Sequence, residues 1–298
     1  MSEHPVNEMD QRAAGRAPDP AVEETNTRHP RVALMGEFSA GKSTLSNLLI
    51  GKPALPVNVT ATQLPPVWIS YGDDVPYRIG LDGVEEDVDP SLTGISVHDT
   101  RYIRIFTEAK FLEHCDLIDM PGISDPNMAA EVWQRVIHEA DIVIWCSHAT
   151  QAWRQSEAAV WGTMPPDLYE KSLLLLTRMD RILSERDQKR VVKRVESETQ
   201  GLFRQVLPVS LIKAVEARGN ADAWIASGAD MLVTSLMELV DEVANGKSER
   251  KVSRKLSRQV HASPDDAIGE RVVEKPKRIV MPTRVRPRPL VSRPTPGE

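Results

Sequence analysis

The sequence predicts an α/β domain: a mostly parallel sheet with helices on both faces. Short apolar runs alternate along the chain with stretches of helical spacing, the pattern of strand–helix–strand crossovers. The runs at 142–146, after Asp141, and 173–176 are continuously apolar, as befits strands covered on both faces. The first run, Val32–Met35, leads directly into Gly36-Glu37-Phe38-Ser39-Ala40-Gly41-Lys42-Ser43-Thr44. This is the G-x-x-x-x-G-K-[ST] spacing in its strand–loop–helix context, so the fold class is that of P-loop nucleotide-binding domains.

The elements follow in order. Residues 1–30 are polar and aperiodic and are expected to be disordered. Arg31–Met35 is the first strand, and Lys42–Leu49 the first helix, ended by Gly51-Lys52-Pro53. A loop with two threonines, Thr60 and Thr62, leads to the strand at 67–71. Residues 77–79 and 84–88 flank Asp82-Gly83 as a hairpin, and 101–106 alternates as a strand. Cys115–Asp119 is a strand ending in D-x-P-G, with Gly122 as its glycine. Helices are expected at 128–140, 154–161, 184–206 and 231–244, and strands at 141–146, 173–176 and 206–210.

Each site motif has a chemical reason. Gly36 and Gly41 let the backbone curl, so that successive N–H groups point at a phosphate chain. The helix opening at Lys42 adds its positive end. Lys42 reaches the β- and γ-phosphates, and the Ser43 hydroxyl becomes a Mg²⁺ ligand. In phosphate-switch proteins the loop after the first helix supplies a threonine for Mg²⁺ and the γ-phosphate; Thr60 and Thr62 are the candidates. Asp119 can hold a Mg²⁺-bound water, and the amide of Gly122 can meet the γ-phosphate. Thr177-Arg178-Met179-Asp180 ends a buried strand. There the Asp180 carboxylate can accept the two N–H donors of guanine's edge, while Arg178 lies over the base. Ser210-Leu211 follows the last strand, where a backbone N–H can meet the guanine oxygen.

Composition limits the function. No apolar run approaches the ~20 residues of a membrane span, and the N-terminus lacks a signal peptide's apolar core, so a cytoplasmic chain is expected. Cys115 and Cys146 read as buried, reduced thiols, and the seven histidines show no paired metal-ligand spacing. Charge is uneven. Residues 31–245 carry 20 basic and 31 acidic residues, whereas 246–298 carry 14 basic and 6 acidic. An acidic domain therefore precedes a basic tail. In that tail Val252, Leu256 and Val260 recur every four residues among Lys251, Arg254, Lys255 and Arg258. This is a solvated extension of the closing helix, a short helix for an anionic membrane or an acidic partner, or a segment that folds back on its own acidic domain. Beyond Ala262 the tail is Pro- and Arg-rich, is expected to be disordered, and lacks the interleaved aromatics of an RNA binder, so nucleic acid is not an expected partner.

The run GEFSAGKSTLSNLLIGKPALP, followed by VTATQ, a strand ending in SYGDD, then DLIDMPG and TRMD, resembles the bacterial dynamin-like GTPases over residues 31–245. The resemblance implies a Mg²⁺-dependent GTPase that binds GTP and GDP, acts as a regulatory or mechanical switch, and pairs its G domains. Ser39 matches the serine that places a monovalent cation, K⁺ or Na⁺, or touches the β–γ bridging oxygen. Lys42, Ser43, Asp119 and Gly122 match the phosphate, metal and second-switch residues, and Thr62 is the preferred match for the switch threonine beside Thr60. Thr177, Arg178 and Asp180 match the guanine reader. Arg178 stands in place of the usual lysine, and Phe38 in place of a polar residue near the attacking water. About 50 residues follow the domain, too few for a dynamin's helical stalk and membrane paddle, so membrane fission is not carried over. A ribosome- or RNA-associated GTPase and a nucleotide-binding adaptor with little turnover are the competing readings.

Overall fold

The computed structural model describes residues 28–55, 64–124, 130–217 and 219–260, of which 247–260 by backbone alone. The chain separates into two compact units, 1–254 and 255–298. The sheet and the site lie in the first; the described part of the second is the helical run 255–260.

A nine-stranded sheet organises the first unit. Its strands are β1 (Arg31–Gly36), β2 (Val67–Ser70), β3 (Tyr77–Gly80), β4 (Glu85–Asp87), β5 (Thr100–Phe106), β6 (Asp116–Asp119), β7 (Ile142–His148), β8 (Ser172–Thr177) and β9 (Gln205–Pro208). In space they run β4-β3-β5-β2-β6-β1-β7-β8-β9. The half from β6 to β9 is wholly parallel. β2 enters antiparallel to β6 and pairs parallel with β5, and β3 and β4 extend that end as an antiparallel hairpin.

Alternate residues of the central strands feed two cores, one on each face. Val32 and Leu34 of β1 join the first core, packed by α1 (Lys42–Ile50), α5 (Leu211–Glu216) and α7 (Ala229–Val260). Ala33 and Met35 join the second, packed by α2 (Ala130–Ile137), α3 (Gln155–Trp161) and α4 (Glu185–Glu198). The period-2 alternation of a strand, with both faces apolar, thus becomes two helical layers. In the second core Trp145 meets Trp153 and Trp161 edge-on, and Phe203 stacks on Trp161 at 4.1 Å between ring centroids. α6 (Ala221–Ala226) links α5 to α7.

Several expected boundaries shift. The helix expected over 184–206 stops at Glu198, because Gly201 turns the chain at positive φ before β9. The closing helix begins earlier, at Ala229, and continues beyond 244 to Val260. Cys115 sits immediately before β6 rather than inside it, and both it and Cys146 are free and buried. The threonine loop (Thr60, Thr62), the N-terminal segment to residue 27 and the Pro/Arg-rich stretch from 261 lie outside the described residues.

Candidate functional site at the ends of the parallel strands

The loop after β1 is shaped by backbone conformations that only some residues tolerate. Gly36 has φ +135°, and a Cβ there would run into the carbonyl oxygen of Cys146 on β7. Gly41, at φ +99°, caps α1, and a Cβ there would meet Leu211 and Thr177. Ser39, between them, is also left-handed at φ 58°. Among the described residues only four non-glycine residues have positive φ, and two of them, Ser39 and Arg178, face each other in this site. Such conformations persist where surrounding contacts fix them, and they concentrate at ligand-binding loops.

Lys42 is buried, and its Nζ donates to the carbonyls of Gly36 (3.1 Å) and Glu37 (2.9 Å), so its ammonium lies across the curl of the loop. Beside it Asp119 ends β6, one strand over, where Leu34 of β1 is its register partner. Burial pushes the Asp119 carboxyl up to about 6, against partial opposition from the Lys42 ammonium. After it, a Cβ at Gly122 would stand 2.9 Å from the Cα of Phe38, so the second-switch segment touches the phosphate loop. The Phe38 amide donates to Ser124 Oγ at 3.3 Å, while the Phe38 side chain is 51% exposed.

Phe38, Ser39, Gly41, Lys42, Ser43, Thr44, Asp119, Gly122 and Arg178 line one cavity of about 290 Å³. Leu55, Pro65 and Val67, on either side of the threonine loop, line it too.

The residues expected at the base end come together from distant segments. The buried Thr177 hydroxyl donates to Ala40 O at 2.8 Å, and Arg178 Nη2 donates to Ser39 O at 2.8 Å, so the end of β8 is stapled to the phosphate loop twice. Asp180 accepts from Ser210 Oγ at 2.6 Å, and Ser210 in turn caps α5. The Ser210 amide donates to Ser227 O. Of the expected pair it is therefore Leu211, first residue of α5, whose amide has no partner within the helix.

Sequence reasoning missed the support behind Glu37. Its carboxylate turns away from the loop curl to accept from Arg154 (2.9 Å) and Ser156 (2.7 Å) on and before α3. Glu157 of the same helix is buried and accepts from Trp145, Ser147 and the Arg154 amide; burial raises its pKa despite those donors. Glu157 accepts the Arg154 amide as the N3 acid of a capping box does, but Arg154 lacks the hydroxyl that would mark the helix start, and nothing local ties residue 154 to residue 37. His148, at the end of β7, has its pKa lowered by burial and by the cations Arg178, Arg154 and Arg181.

A curled glycine loop gripped by its own lysine, a buried aspartate behind it and an aspartate beyond a second strand define the class: a P-loop GTPase domain. Residues 31–178 match the family described as "50S ribosome-binding GTPase". "Dynamin-like protein 2" of Campylobacter jejuni subsp. jejuni is 25% identical over 219 residues, covering 69% of this chain and 35% of that one. "Probable transmembrane GTPase FZO-like, chloroplastic" of Arabidopsis thaliana is 26% identical over 225 residues, 70% of this chain and 23% of its own length. The chain thus spans about a third or less of these relatives. Two solved structures of an oligomerised bacterial dynamin pair share the fold, with TM-scores of 0.51 and 0.57 at 20% and 19% identity; they cover 74% and 79% of this chain and 37% and 48% of theirs. Over this domain the chain is similar to dynamin-like proteins.

Proposed function

We propose that the domain binds GTP and GDP, hydrolyses GTP with Mg²⁺, and works as a regulatory or mechanical switch. The observation that carries the guanine assignment is the Asp180 carboxylate, held by Ser210 at 2.6 Å on a segment stapled to the phosphate loop. A carboxylate so held accepts the two N–H donors of guanine. Adenine offers an acceptor and a donor there, leaving one carboxylate oxygen facing a lone pair.

The residues fit Mg²⁺. A single buried carboxylate, Asp119, faces a cavity that Ser43 also lines, and phosphate-bound Mg²⁺ takes only one or two carboxylates. Ser43, Asp119 and Thr62 would hold it. Bound, it supplies charge neutralisation at the β- and γ-phosphate oxygens. The chain's own residues do the rest. Lys42 exchanges loop carbonyls for phosphate oxygens, and the Gly122 amide meets the γ-phosphate. Ser39 lines the same cavity and is assigned to a K⁺ or Na⁺ ion beside the phosphates. Buried reduced thiols support action in the cytoplasm.

Likeness to an oligomerised bacterial dynamin pair supports pairing of G domains. The basic segment from 246 onward is assigned to an anionic membrane surface or an acidic partner. The family description favours one second reading, a ribosome-associated GTPase. Binding of GTP, GDP and ATP by the purified chain, with phosphate release followed with and without Mg²⁺, tests the proposal. GTP binding without phosphate release would leave a nucleotide-dependent adaptor. Retention on ribosomal RNA that survives rising salt would favour the second reading.

A further inference from the structure

The two ends of the sheet carry opposite charge, part of it without an ion-pair partner among the described residues. At the β4 end, Asp73, Asp74, Glu85 and Asp87 are exposed and have no ion-pair partner among the described residues. Arg78, the one cation between residues 71 and 91, is already held by Glu86 and Asp99. At the β9 end, α4 packs its valines, Val191, Val192 and Val195, into the second core and turns a basic face outward. Asp187 takes Arg190 and Glu198 takes Arg194. Arg186, Lys189 and Lys193 on that face have no ion-pair partner among the described residues, and they line one shallow groove. Each end also exposes aliphatic side chains. Leu183, before α4, is 95% exposed, and Val75, Leu81 and Val84 flank the acidic hairpin.

We infer that these ends are two halves of one contact: the basic α4 face of one copy seats on the acidic β3–β4 end of the next. The occupant is a second copy because this chain supplies both complementary surfaces. They sit at opposite edges of one sheet, so the contact joins copies head to tail. Acidic residues on a short edge strand also guard that strand against nonspecific pairing. That accounts for the hairpin charges but not for the unpaired cations and exposed leucine at the other end. The contact is distinct from pairing across the nucleotide face, because none of its residues lines the nucleotide cavity.

The test is sedimentation of the full chain over a concentration series at about 0.05 M and about 0.5 M salt, since screening shortens from roughly 10 Å at 0.1 M to 3 Å at 1 M. Wild type should gain mass with concentration at low salt and lose that gain at high salt. Lys189→Glu with Lys193→Glu should weaken association at least about tenfold, as should Glu85→Lys with Asp87→Lys, a change of roughly 1.4 kcal/mol. All four together leave the net charge unchanged and should restore it. Circular dichroism and GTP binding unchanged from wild type establish that each variant is folded. A monomeric wild type at low salt, association insensitive to either pair, or a folded four-fold variant that fails to associate would each overturn the inference. So would a Lys189/Lys193 reversal that abolishes retention on anionic vesicles or RNA while self-association persists.

Discussion

The two ends of the nucleotide site are built in different ways. The phosphate end is nearly contiguous: residues 36–44 supply the curl, the lysine and the hydroxyl, and their geometry follows from local backbone conformation. The base end is assembled from segments over a hundred residues apart, through Thr177 to Ala40, Arg178 to Ser39 and, some thirty residues on, Ser210 to Asp180. A contiguous site draws its strength from charge and desolvation. An assembled one depends on buried hydrogen bonds that hold a reader in place, so damage to the two ends should differ in kind.

The largest effect should come from the phosphate end. Lys42→Ala should lower affinity for GTP and GDP alike by roughly 3 kcal/mol or more, over about a hundredfold, because a charge-assisted contact in a desolvated site is lost. Titration with fluorescent GTP and GDP measures it. A loss confined to one nucleotide would break the assignment of Lys42 to both phosphates.

Asp119 sharpens the contrast through pH. Its folded pKa of about 6 lies above the ordinary carboxylate value of 3.8, so the nucleotide-free fold favours the protonated form. Its contribution to stability is full below about pH 4 and is lost as pH rises through about 6. Asp119→Asn should therefore stabilise the nucleotide-free protein at pH 8 by up to roughly 3 kcal/mol, at 1.36 kcal/mol per unit. That gain should vanish below about pH 4, while Mg²⁺-dependent GTP binding is weakened at every pH. Denaturant titrations of both proteins at pH 4, 6 and 8 check it; a gain independent of pH would refute the titration of Asp119.

The base end should respond more weakly. Thr177→Val leaves the Ala40 carbonyl without its buried donor and should cost about 1–3 kcal/mol of stability. Because the staple joins both ends, it should also weaken GDP binding, which calorimetry would show. Ser210→Ala should be milder, about 1 kcal/mol, and should fall on GTP affinity more than on folding, because Asp180 keeps its place but loses its orienting donor. Equal losses in ATP and GTP binding would mean that Ser210 serves only α5.

Legibility in the sequence divides along the same line. The phosphate loop, the central strands and the D-x-P-G turn could be read because each is a local pattern. The hairpin was readable from Asp82-Gly83, and β3 and β4 form there. α5 and α6, at six residues each, are too short to show a period, and α4 ends before its apolar spacing does, because Leu202 continues the series of Val191, Val192 and Val195 past the turn at Gly201. The residues of the proposed guanine reader were visible as types, but their mutual staples and the Arg154–Glu37 pair were not. Those contacts depend on sheet order, which places β7 beside β1 and β8 beside β7.

The central claim is that Asp180 reads guanine. The measurement that tests it most directly is the affinity of wild type and Asp180→Asn for GTP, ATP and xanthosine triphosphate under one set of conditions. Wild type should prefer GTP over ATP by a large factor, since a mismatch leaves a polar group unpaired in the site. Asp180→Asn should lose GTP affinity and gain xanthosine triphosphate, whose carbonyl accepts from the new amide. Equal binding of ATP and GTP by wild type, or an Asp180→Asn protein that still prefers GTP, would contradict the account.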